Sequence, residues 1–338
     1  MSFSRKIIPF LLFAFFFQQS IHAQQDPMFT KYMFNSLTVN PGYAGSKEFI
    51  SITALYRNQW WDIEGSPVTQ TVTAHAPLSD KVGVGLSLVN DKLGATGSTV
   101  ANFSYAYRIP FGKGKISIGL QAGLMNYRTD FSVLNYRDPQ QIDPSFDDTD
   151  VNLFTPNFGA GVYYYTDNYY IGFSVPHLIN SDLRRDEDIV TNKWAQLYRH
   201  YYFTGGIAIP VRGDAIVFKP SFLIKNVGLF EEFSSRSSSL KGVGAPTEFD
   251  IDASFLFYQA LWIGASFRSS FEAIFGKTSS VDSANIWGAY NLKNGFRIGA
   301  SYDYTLTKLQ RYATGSFEIM LGYDFNFDKG QIVTPRYF

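Results

Sequence analysis

The chain has 338 residues, 45% hydrophobic and 17% aromatic, with 29 basic and 29 acidic side chains and no cysteine. The lack of cysteine excludes disulfides, thiolate metal sites and cysteine nucleophiles, and the balanced charge offers no basic excess to attract nucleic acid. With 32 Phe, 22 Tyr and 5 Trp, the composition suits a chain whose rings line membrane interfaces.

Arg5 and Lys6 precede an apolar run over residues 7–17, broken only by Pro9, and Ile21-His22-Ala23 offers a cleavage site before Gln24. The run is too short to span a bilayer, so residues 1–23 read as a secretory leader that is removed. No later stretch approaches the ~18 uninterrupted apolar residues of a transmembrane helix. Residues 24–46 make a poor strand, broken by Pro27 and by the Asn40-Pro41-Gly42 turn signal. Met28, Phe29, Tyr32, Met33 and Phe34 are nonetheless too apolar for a free tail, and need burial against a wall, in a pore mouth or on a partner.

From residue 48 the pattern changes. Fourteen strand-like segments follow, over residues 48–57, 67–76, 81–90, 99–109, 115–127, 155–165, 169–176, 200–209, 215–225, 247–258, 261–269, 283–290, 295–304 and 316–327; counts of twelve and sixteen stay open. Several alternate with a period of two. In the last, Phe317, Ile319, Leu321, Tyr323, Phe325 and Phe327 oppose Ser316, Glu318, Met320, Gly322, Asp324 and Asn326. In residues 247–258, Phe249, Ile251, Ala253, Phe255 and Phe257 oppose Glu248, Asp250, Asp252 and Ser254. Short connections at 77–80, 110–114, 166–168, 210–214, 259–260 and 291–294 interleave with longer ones at 58–66, 91–98, 128–154, 177–199, 226–246, 270–282 and 305–315. That sorting predicts an all-β fold: a transmembrane antiparallel β-barrel over 47–327, apolar outside, with short periplasmic turns and long extracellular loops. The last strand must then pair with the first, because an open edge cannot face lipid. Residues 24–46 become a periplasmic or plug-like segment and 328–338 a periplasmic tail, both on one side of the membrane.

Chemistry-bearing motifs are sparse. His75, His177 and His200 are the histidines after the leader, and neither a Gly-x-Ser-x-Gly elbow nor a His-Glu-x-x-His pair is present. Gly276-Lys277-Thr278 lacks the earlier glycine of a phosphate loop, since Phe271 stands there. Asp148-x-Asp150-x-Asn152 imitates a calcium loop, but Leu153 replaces the turn glycine. A looser site with Asp143 and Asp147 competes with a solvated acidic loop, and residues 183–188 form a second charged run. No catalytic residue, cofactor or metal is assigned.

Glu248, Asp250 and Asp252 share one strand face, and Arg268 lies on the polar face of the next; pairing through a short turn would bring Arg268 near Asp250. Such charges belong in the lumen, as a salt-bridge ladder or as an ion filter. Trp60 and Trp61 follow the first strand as an interfacial girdle or as a docking surface. Phe29, Tyr32 and Phe34, with Arg336, Tyr337 and Phe338 of the tail, are the other candidates for docking.

The motifs Gln24-Gln25-Asp26-Pro27-Met28-Phe29, Tyr32-Met33-Phe34-Asn35 and Asn40-Pro41-Gly42-Tyr43-Ala44-Gly45-Ser46 resemble the PorP/SprF family of the type IX secretion system. Tyr56-Arg57-Asn58-Gln59-Trp60, Gly65-Ser66-Pro67-Val68-Thr69-Gln70-Thr71, Val89-Asn90-Asp91-Lys92-Leu93-Gly94, Tyr105-Ala106-Tyr107-Arg108-Ile109-Pro110 and Gly315-Ser316-Phe317-Glu318-Ile319-Met320-Leu321 continue the resemblance. It implies a non-enzymatic outer-membrane barrel serving protein export in gliding or adhesive Gram-negative bacteria. The implied partner is a periplasmic ring with its lipoprotein, or one large secreted adhesin. A diffusion porin or hydrophobic-solute channel is the alternative.

Overall fold

The computed structural model describes residues 30–130, 151–179, 181–182, 196–197, 199–227, 247–274 and 281–325. The expectations for the leader, Phe29, the acidic loop with Asp143, Asp147, Asp148 and Asp150, the 183–188 run, Gly276-Lys277-Thr278, and the tail with Arg336, Tyr337 and Phe338 lie outside these residues.

Fourteen long strands form the wall: β1 (Ile50–Asn58), β2 (Val68–Pro77), β3 (Val82–Leu93), β4 (Thr96–Phe111), β5 (Gly114–Thr129), β6 (Val151–Tyr165), β7 (Tyr169–Val175), β8 (His200–Ile207), β9 (Ile216–Val227), β10 (Glu248–Phe257), β11 (Leu261–Ser270), β12 (Ser283–Asn291), β13 (Phe296–Thr305) and β14 (Gly315–Phe325). Two-residue Ile209–Pro210 continues β8 past Ala208. Every strand pairs antiparallel with its neighbours in sequence, and β14 pairs with β1 from Phe317 opposite Asn58 to Phe325 opposite Ile50. The sheet is therefore closed, which satisfies the backbone of both terminal strands where lipid cannot. No described helix is long and apolar enough to cross a membrane; the crossing is made by strands.

The alternation read from the sequence becomes facing. Ile251, Phe255, Ile319 and Leu321 are exposed on the outer surface, whereas Asp250, Asp252, Ser254, Glu318 and Met320 are buried inside. Exposed rings collect at both rims: Phe111, Tyr169, Tyr258 and Tyr290 at the short-turn end, Tyr56, Trp61, Phe154, Tyr302 and Tyr304 at the long-loop end. These are the positions where amphipathic rings meet headgroups.

One predicted connection is corrected. Residues 91–98 are not a long loop: β3 runs to Leu93 and β4 starts at Thr96, leaving a tight hairpin in which Gly94 takes φ +57°. The polar Asn90, Asp91 and Ser98 read as loop because strands rising past the bilayer no longer need an apolar face. The 16-residue β4 and β5 and the 15-residue β6 all rise this way. β7 is shorter, at 7 residues, and its ladder with β6 begins at Ala160. Pro156, which has no N–H to donate, sits in β6 above that point, the edge position where proline is tolerated.

Candidate functional site: the threaded lumen

The chain's own N-terminal segment lies inside the wall. Residues 30–46 wind through three single turns of 3-10 helix, Tyr32–Phe34, Ser36–Thr38 and Pro41–Tyr43. Nearly all of their side chains are buried. Asn40 caps the third turn, its Oδ1 accepting from the Gly42 N–H at 2.8 Å. Short irregular turns suit the role, because such backbone is tolerated at membrane depth only inside protein.

The segment runs the length of the barrel. At the short-turn end, the Gly45 N–H donates to His75 Nδ1 at 3.3 Å. Arg108, wholly buried, ties the Gly45 carbonyl to the Ser79 carbonyl of the β2–β3 turn. Midway, Thr73 Oγ1 donates to Asn35 Oδ1 at 2.6 Å, and the hydroxyls of Tyr32 and Ser221 meet at 3.1 Å. At the long-loop end the Thr30 and Lys31 N–H groups donate to the two oxygens of Glu318, both at 3.0 Å. Arg57 donates to Thr30 Oγ1 at 2.6 Å, and Thr30 Oγ1 donates to Asp303 at 2.7 Å. Arg57 also pairs with Asp303 at 2.7 Å and with Glu318 at 3.6 Å. Charges so deep persist because each is paired and hydrogen-bonded.

Opposite this clasp the wall is floored with glycine. A Cβ on Gly83 would come within 2.1 Å of the Ala44 carbonyl oxygen, and one on Gly119 within 2.2 Å of the Gly42 nitrogen. Backbone can lie on backbone there only because both wall residues lack side chains. Asn40 crosses to the same wall, donating to the Val162 carbonyl at 3.0 Å, and Ser174 donates to the Val39 carbonyl at 2.7 Å.

The predicted lumen charges fall into place around the segment. Asp250 stands directly opposite Arg268, whose Nε and Nη2 donate to Asp250 Oδ2 at 3.0 and 2.6 Å. Asp252 accepts from Trp287 Nε1 at 2.6 Å, and Glu248 lies 3.9 Å from Lys225 Nζ. Lys31 sits over the Trp287 ring at 4.8 Å. At the other end, before β1, burial lowers Lys47 to about 8, helped by Arg297 and opposed by Asp324, which it meets at 3.5 Å.

Two docking candidates are corrected. Tyr32 is 2% exposed and Phe34 8%; Phe34 packs edge-on between Trp262 and Trp287. Rings sealed in the lumen offer a partner no surface. Of the two placements expected for residues 24–46, periplasmic or plug-like, the described residues 30–46 lie inside the wall, with Thr30 near the long-loop rim. Trp61 does stay open at that rim, 52% exposed, while Trp60 is half-buried at φ +53°. The neighbouring Asp62 is held by the Thr314 N–H at 3.0 Å. Arg57, Asn40, Asp303 and Glu318 were not singled out from sequence. The available signal was three charged residues on inward positions of the strands flanking the closure, all at one level. Among the described residues no group of three or more His, Asp or Glu side chains converges to hold a metal.

A family model described as the type IX secretion system membrane protein PorP/SprF matches residues 21–323. The chain belongs to this family. As a PorP/SprF barrel with an apolar outer belt it is an outer-membrane component of type IX secretion. Among solved structures, an outer membrane protein of Acinetobacter baumannii, Omp33, aligns at 8% identity and TM-score 0.47, covering 83% of this chain and 100% of its own. The KdgM porin aligns at 8% and 0.36, covering 82% and 99%, and Salmonella typhi OmpF with daunomycin at 10% and 0.36, covering 83% and 98%. At such scores these likenesses add nothing to what the closed ladders give. No curated protein matches the chain significantly.

Proposed function

We propose that this PorP/SprF barrel is a non-enzymatic, non-conducting platform of the type IX machinery that holds a protein partner. The partner is either a periplasmic ring component or a large secreted adhesin. The observation that carries this reading is the threaded lumen: residues 30–46 are bonded to the wall at both ends and in the middle. A diffusion porin needs an open aqueous path, and a segment clasped by buried ion pairs is a poor gate for passive traffic. With the lumen spent on the chain's own segment, the surfaces left for a partner are the two rims, among them the exposed Trp61.

The test is gentle membrane extraction through an affinity tag, with identification of what co-purifies, beside a small-solute uptake assay. Recovery of a ring component or an adhesin with low uptake supports the platform. Porin-like uptake with no protein partner would return the channel reading.

A further inference from the structure

Beyond the lumen, the outer face of the wall carries a row of polar residues directly opposite one another: Lys92 on β3, Gly97 on β4, Arg128 on β5 and Asn152 on β6. All four have the outward parity of the lipid-facing Leu88, Phe103, Leu124 and Phe158 on the same strands. Lys92 and Arg128 are exposed, and neither has an ion-pair or hydrogen-bond partner among the described residues. Gly97 stands between them, and a Cβ there would come within 3.0 Å of Arg128 Nε. Arg128 therefore lies across the bare Gly97 backbone, and beside it is a cavity of about 370 Å³ lined by these four residues together with Ala95, Thr96, Thr129 and Asp130. Among the described lining residues two cations stand against one carboxylate.

Height along the wall decides what would fill it. The apolar belt on these strands ends at the level of Leu88, Ala101 and Leu124. One step higher come Asn90, Thr99 and Asn126, and the cationic row follows. Lys92 is four residues beyond Leu88, about 13 Å along the strand and about 10 Å along the membrane normal at the usual strand tilt. That is headgroup depth on the long-loop side, the outer leaflet of an outer membrane.

We infer that Lys92, Gly97 and Arg128 form a binding site for the phosphate of an outer-leaflet lipid headgroup, with the acyl chains lying down the Leu88–Phe103–Leu124 face. Each cation gives a charge-assisted hydrogen bond to phosphate oxygens, the bare backbone of Gly97 seats the Arg128 side chain, and the Asn152 amide borders the site. An arginine suits phosphate because its planar fork donates two parallel bonds.

The experiment is native mass spectrometry of the full barrel released from detergent, titrated with bis-phosphorylated lipid A, its dephosphorylated form, or inorganic phosphate. The expected result is binding of the phosphorylated lipid about tenfold or more above the dephosphorylated one. Lys92→Gln with Arg128→Gln should abolish that preference, and Gly97→Leu, which keeps both charges but pushes the Arg128 side chain from its seat, should reduce it by a similar factor. Unchanged heat-modifiable gel migration in each variant shows that the barrel is intact. Equal binding of both lipids, or wild-type preference in both variants, overturns the site. Inorganic phosphate displacing the lipid at equal concentration would assign the cations to a soluble anion and overturn the lipid assignment.

Discussion

Arg57 and Glu318 stand opposite each other across the ladder that closes the barrel, and both hold the same residue of the threaded segment, Thr30. Closure of the wall and seating of the segment therefore share one set of side chains. Glu318→Gln keeps the shape but removes the charge that receives two backbone N–H groups. A hydrogen bond to a charged group contributes about 1.5–3 kcal/mol, so the variant should lose about 2–3 kcal/mol and expose the segment to protease. Urea unfolding followed by heat-modifiable gel migration reads the first effect and limited proteolysis the second. Wild-type values in both would show that the clasp does not hold the segment.

The glycine floor makes a sharper demand. Gly119→Leu puts a side chain where the Pro41-Gly42 backbone lies, so the segment should lift while the β4–β5–β6 ladders persist. Gly288→Ala is the control, since its Cβ would meet an ordinary contact at 3.5 Å. Small-dye uptake by cells should rise for the first variant and stay at the wild-type level for the second.

The facing of the wall gives a third expectation. Ile251→Arg places a charge toward lipid near mid-strand, costing about 2–4 kcal/mol at the midplane, whereas Leu78→Arg in a rim turn should cost about 0–1 kcal/mol. Measured unfolding midpoints of equal size would contradict the assigned belt.

Protonation at the short-turn rim gives a fourth. Lys47, just before β1, is lowered by burial to about 8, from an ordinary 10.5. Between those values the folded form binds fewer protons than the unfolded form, so stability rises with pH across the window. Below about 8 the cost of the buried charge is fully present. The urea midpoint should therefore be higher at pH 9.5 than at pH 7.5. Lys47→Met should shrink that difference; an undiminished or reversed difference would show that Lys47 is not the group responsible.

Much of the wall was legible because a strand in lipid obeys one rule, apolar out and polar in, so that Phe255 against Ser254 already states the facing. The opposition of Asp250 and Arg268 followed from the same rule plus a short turn. The segment was not legible. Its apolar rings announced a need for burial but no address, because its partners lie far away in sequence: Thr30 with Asp303, Asn40 with Val162. No period links such residues. The recurrence of inward glycines at Gly83, Gly85, Gly119 and Gly161 was the trace of that docking, and it has meaning only once the strands are placed side by side. Hairpin 94–95 was missed because strands above the bilayer are polar on both faces.

The most direct measurement of the central claim is the conductance of the purified barrel in a planar bilayer. The threaded lumen predicts a silent wild type and channel openings in Gly119→Leu. Steady porin-like conductance from the wild type would contradict it.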